Sequence, residues 1–319
     1  MERGEKFRGL IDKVLGDNDF AKLEPQKAKI YRPGDDQLAL WNMFGNDVSS
    51  SHIGLFFELL STGIYGGNLV DSVSPFLSSD SFISSFPRVD IVDVPGKVAR
   101  ECKGCSYAKE MILRDEQVGN YDSCQLRHPD YRLIFEIYKH RLKNIRSFKG
   151  PERELHKSLA GNLGYSLRLD YLLLKDLTSR ALEQKAEYNG RKLVTRAEAS
   201  SYRNSSRLTP SFLNGLFEEP EKIVDCIGLD VGDLTIRREI TSKEVRVYSL
   251  PELEIARLNG TARGYVSRVS SLPIVSICYK DHDLARSKFL EGMLSSEGSS
   301  DRLEVEESVK GTLYEEAPF

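Results

Sequence analysis

The chain has 319 residues, 36.1 kDa, with 40% hydrophobic and 29% charged residues. These proportions are those of an ordinary folded protein and exclude wholesale disorder, a collagen-like repeat and a disulfide scaffold. Net charge is −3, from 45 Lys and Arg against 48 Asp and Glu, so the chain is not globally basic and any nucleic-acid surface must be local. Five cysteines, a polar opening segment and no apolar run of spanning length predict a cytoplasmic protein with reduced thiols and no membrane partner.

The elements divide into four stretches. Residues 1–48 predict an amphipathic helix, with Phe7, Leu10, Ile11, Val14 and Leu15 on one face, followed by a loop. Residues 49–150 form an α/β core. In it, Ser49, Ser50 and Ser51 cap a largely apolar helix, HIGLFFELLSTGI, that carries one carboxylate, Glu58. A Ser-rich loop follows. VDIVDV and KVAREC then read as two strands joined at Pro95-Gly96, residues 106–120 as helical, and YRLIFEIY at 131–138 as a central strand.

Residues 151–290 predict a helical and α+β region. It opens with one long helical segment from Glu152 to Glu187, followed by a turn at Tyr188-Asn189-Gly190. Two short helices are expected within RAEASSYRNSSRLTPSFLNGLF, two strands within VGDLTIRREITSKEVRVYSL, and an apolar run at 271–279. Residues 291–319 form an acidic tail of disordered composition; from 281 onward there are ten acids and four bases.

The hairpin carries the chemistry. Asp90 opens its first strand; Glu101 and Lys103 lie two apart on the second and so share a face. The turn brings Asp90 beside them. Two carboxylates and an ammonium suit phosphodiester hydrolysis, because Mg²⁺ takes oxygen ligands, polarises phosphate and acidifies water. Lys103 orients that water or offsets developing charge. Asp93, beside the turn, is the rival first carboxylate.

Asp90 followed by Glu101-Cys102-Lys103 resembles the PD-(D/E)xK nuclease superfamily, the restriction-endonuclease-like fold. The resemblance covers roughly residues 49–145. Pro87 lies three residues before the aspartate rather than next to it. The resemblance implies a mixed central sheet flanked by helices in the order helix, strand, strand, helix, strand. It implies metal on Asp90 and Glu101, catalysis by Asp90, Glu101 and Lys103 with help from Glu58, and Gln117 and Tyr121 on the following helix as nucleic-acid contacts. The expected function is Mg²⁺-dependent cleavage of DNA by a restriction- or repair-type endonuclease, with Mn²⁺ able to substitute and a homodimer among its forms.

Two further patterns remain. Cys102, Cys105, Cys124 and His128 have the spacing of a structural zinc site, which makes a non-catalytic zinc-containing module that binds nucleic acid or protein the alternative function. A basic run from Arg132 to Arg153, interleaved with aromatics, offers Arg141, Lys143 and Arg146 to a phosphate backbone. Arg191, Lys192, Arg196, Arg203 and Arg207 form a second such cluster. His52, His128, His140 and His156 are isolated and read as packing or surface residues.

Overall fold

A computed structural model describes residues 48–70, 86, 89–142, 152–197, 205–244 and 269–295. The expected helix at residues 1–24, the Ser-rich loop and the end of the acidic tail lie outside the described residues. The architecture is mixed α/β, with a central mixed sheet flanked by helices.

Helix α1 (Val48–Tyr65) buries Phe56, Phe57, Leu59, Leu60 and Ile64, each about 1.5–3 kcal/mol of transfer free energy. Three strands follow, β1 (Asn68–Leu69), β2 (Ile91–Asp93) and β3 (Val98–Ser106), each antiparallel to the next. The β2–β3 turn uses Pro95-Gly96 with Lys97 at φ 50°. Strand β4 (Met111–Arg114) then leads directly into α2 (Asp115–Arg127). The expectation of helix from 106 is therefore corrected: β3 runs through Ser106, and Met111 and Leu113 alternate inward as a strand. The crossover returns as β5 (Arg132–His140), parallel to β3 and buried on both faces.

Helix α3 (Glu152–Gly161) is followed by β6 (Leu163–Asp170) and α4 (Tyr171–Glu183). The single long helix read across this stretch is thus interrupted by a strand. Tyr165, Leu167 and Leu169 alternate into the core, and the Asp170 carboxylate caps α4 by accepting from Leu172 N at 3.0 Å. Strand β6 pairs antiparallel with β5, so the boundary drawn at residue 150 falls between neighbouring strands of one sheet. A small hairpin, β7 (Glu187–Tyr188) and β8 (Arg191–Lys192), turns at Asn189 and Gly190 with φ of 51° and 70°.

Of the two short helices read after the hairpin, the first falls largely at residues 198–204 and so lies outside the described residues. Strands β9 (Val194–Arg196) and β10 (Ser205–Leu208) join β4 in a separate three-stranded sheet, and the second expected helix is α5 (Pro210–Glu218), capped by Thr209. After α6 (Pro220–Cys226), β11 (Leu234–Thr241) pairs antiparallel with β12 (Leu272–Tyr279), and β12 is parallel to β6. Helix α7 (His282–Ser295) closes the described chain. The second strand expected after β11 begins outside the described residues. The sheet order is β1-β2-β3-β5-β6-β12-β11.

Two apolar clusters cover its faces. One joins α1 and α3 to Ile91, Cys102 and Tyr138; the other joins α2, α4, α5 and α6 to Ala99, Cys105, Phe135 and Ile137. No helix among the described residues is long and apolar enough to cross a membrane.

Candidate active site

The β2–β3 register pairs Ile91 with Arg100, so stepping back one residue sets Asp90 opposite Glu101. The regular ladder ends there. The Asp90 side chain takes over, with Oδ2 accepting from the Cys102 amide at 2.7 Å. Glu101 and Lys103 point from β3 to the α2 side, and the Lys103 ammonium donates to Glu101 Oε1. The structure therefore brings Asp90, Glu101 and Lys103 together. Asp93 sits beyond them at the turn, where its carboxylate accepts from the Gly96 amide at 3.3 Å.

Burial sets the electrostatics. The Glu101 side chain is 5% exposed and that of Lys103 29%. Desolvation, then the charges of Glu101 and Glu58, push Asp90 well above the usual carboxylate range. Glu58 is half-buried on α1, close enough for Asp90 and Cys102 to feel its charge. Burial opposes the Lys103 ammonium, but Glu101 and then Asp90 outweigh that and hold its pKa above the ordinary lysine value. Lys103 is a fixed cation, unsuited to accept a proton.

The following helix holds its residues differently from expectation. Tyr121 is 2% exposed and packs edge-on to Phe135 at 5.0 Å. Desolvation and the Glu101 charge push its phenol well above the usual tyrosine range. It lines the inner wall of the site and presents no surface to a nucleic acid, which corrects that assignment. Gln117 accepts from the Arg114 amide at 3.5 Å at the start of its own helix.

Carboxylate oxygens gather here: buried Glu101 takes the Lys103 ammonium on Oε1 and has the Tyr121 phenol as a second hydrogen-bonding neighbour, with the charges of Asp90 and Glu58 close by. Hard oxygens of this kind, one or two carboxylates completed by water, suit Mg²⁺. No group of three or more His, Cys, Asp or Glu gathers as a metal cage among the described residues.

The four-ligand zinc arrangement does not assemble. Strand β3 continues unbroken through Cys102 and Cys105, and residues three apart in a strand face opposite sides. Cys102 lies in the cluster beneath α1, whereas Cys105 and Cys124 lie in the other. His128 is stacked on Phe86 with centroids 3.7 Å apart. Burial raises all three thiols, that of Cys124 to about 12.

The basic run is divided. Arg141 is exposed, but Arg132 pairs with buried Asp170 at 3.3 Å, and Lys139 is internal, donating to Ser106 O at 2.9 Å. Lys143 and Arg146 lie outside the described residues. In the second cluster, Arg196 pairs with Asp115 at 3.5 Å and Arg207 with Glu110 at 3.2 Å. His140 is buried and pushed down to about 4 by desolvation and Lys139.

The sequence reading missed a buried ionic network on the α1 face. Arg168 Nε lies 2.9 Å from Glu136 Oε1, Arg100 approaches the same oxygen at 4.0 Å, and Tyr138 donates to Glu136 Oε2 at 2.9 Å. The Arg168 guanidinium covers the Tyr65 ring at 3.8 Å. The available signal was Glu136 itself, a charge in the middle of an apolar strand. The network fixes β3 against β5 and β6 and so holds the strand that bears Glu101 and Lys103.

No family model, curated protein or solved structure matches this chain.

Proposed function

We propose that the chain is a metal-dependent nuclease that hydrolyses DNA phosphodiester bonds, with a restriction-endonuclease-like core. The observation that carries this reading is the convergence of Asp90, Glu101 and Lys103 on one hairpin, with Glu101 buried among them. Apart from the two-residue edge strand β1 and from β4, which belongs to the three-stranded sheet, the order is α1, β2, β3, α2, β5, and this supports it, being the helix, strand, strand, helix, strand order that the resemblance implies.

Asp90 and Glu101 would hold Mg²⁺, or Mn²⁺ in its place, and the carboxylate of Glu58 adds negative potential beside them. When bound, the ion polarises the phosphodiester and supplies hydroxide from its water. Lys103, kept cationic by its neighbours, stabilises the charge that develops on the phosphate. Glu101 is held in place by burial, by Lys103 and by the wall that Tyr121 provides.

The test is calorimetric titration with Mn²⁺. Wild type binds it, and Asp90→Asn and Glu101→Gln each lose binding while retaining the wild-type circular dichroism spectrum. Equal binding by all three proteins would remove the site from the mechanism.

A further inference from the structure

Strand β11 is the terminal strand of the seven-stranded sheet among the described residues, with β12 as its partner there. It is eight residues long, and Arg237, Arg238, Glu239 and Ile240 are exposed, Ile240 by 70%. An edge of this length with an exposed branched residue is a template for a further strand. We infer that this edge pairs with the same edge of a second copy of the chain, making a two-fold dimer with a continuous sheet.

The register follows from strand geometry. Residues facing each other in an antiparallel pair must both turn their amides toward the partner, or both away. About a two-fold axis, only registers centred on a residue meet this condition. Centring on Arg237 opposes Arg237 to its own copy and leaves Glu239 facing Thr235. Centring on Glu239 opposes two carboxylates. Centring on Arg238 sets Arg237 opposite Glu239 of the second copy, twice by symmetry, with Ile236 opposite Ile240 and Thr235 opposite Thr241.

The one like-charge pair in that register is Arg238 with its copy. Each Arg238 is already neutralised within its own chain, because its guanidinium meets both Glu221 oxygens at 3.1–3.3 Å. Arg237 makes no ion pair among the described residues, so its charge is available to the second copy. The strand is thus complementary to itself in one register and in no neighbouring one.

The experiment measures mass by light scattering on a sizing column, with the full chain, across a wide concentration range. The expected result is a monomer–dimer equilibrium. Arg237→Glu replaces two attractive cross-strand pairs by two repulsive ones and should raise the dimer Kd about tenfold or more. Arg237→Glu combined with Glu239→Arg restores the pairing with reversed signs and should recover the wild-type Kd, which loss of folding could not do. A monomer at every concentration overturns the inference, and so does a dimer indifferent to both variants. Hydrogen exchange at residues 234–241 gives an independent reading. Protection that rises with concentration supports the dimer; full protection at the lowest concentration shows that the chain covers its own edge and overturns it.

Discussion

Gly104 on β3 packs against the Phe57 ring of α1, and adding one methyl group there tests how firmly the strand bearing Glu101 and Lys103 is seated. A Cβ at this position would lie 2.8 Å from Phe57 Cζ and nearer still to two other ring atoms, well inside van der Waals contact. The ring has no room to yield, being 0% exposed and stacked on Tyr138 at 5.1 Å. Overpacking of a tight core costs about 1–3 kcal/mol, and contact with a rigid ring puts Gly104→Ala at about 2–3 kcal/mol. In a chain of this length that lowers Tm by about 3–5 °C. Thermal unfolding followed by circular dichroism measures it. Phe57→Leu removes the obstructing ring edge, so Gly104→Ala should cost at least about 1 kcal/mol less in that background. An unchanged Tm for Gly104→Ala, or equal costs in the two backgrounds, would refute the packing of α1 on β3.

Other outcomes follow from the same geometry. Glu136→Ala leaves Arg100 and Arg168 buried without their counter-charge and should destabilise the fold by about 3–5 kcal/mol, read from urea unfolding. His140 is pushed from 6.5 down to about 4, so the unfolded chain binds its proton more readily; stability from this group is complete above pH 6.5 and is lost as pH falls toward 4. Relative to its own neutral-pH value, His140→Phe should therefore lose about 1–2 kcal/mol less than wild type across that window, once solvent screening is allowed for. A thiol reagent added to native protein should modify exposed Cys226 first and half-buried Cys278 more slowly, with Cys102, Cys105 and Cys124 reacting only after denaturation.

The hairpin was readable from sequence because two independent cues agreed. Pro95-Gly96 marked the turn, and the period of two placed Glu101 and Lys103 on one face. The helix at 48–65 was equally plain, since an apolar run closed by Gly66-Gly67 admits few alternatives. Strand β6 was not separable from its neighbours: Leu163, Tyr165, Leu167 and Leu169 alternate, but the run continues into the apolar first turn of α4, and only the cap at Asp170 divides them. The basic run misled for a related reason. Charge counted along a chain ignores burial, and Glu136 and Lys139 lie at 0% exposure inside a strand covered on both faces. Tyr121 could not be placed from sequence, because which side of α2 meets the sheet depends on the crossover rather than on the helix's own pattern.

The central claim is that Asp90, Glu101 and Lys103 form one metal-dependent nuclease site, and it is tested most directly by incubating the protein with linear, circular and single-stranded DNA with and without Mg²⁺ or Mn²⁺. The expected result is cleavage that requires the ion and falls to background in Asp90→Asn and Lys103→Ala, both retaining the wild-type fold by circular dichroism. Cleavage that persists in those variants, or none by wild type on any of the three DNA forms with either ion, would contradict it.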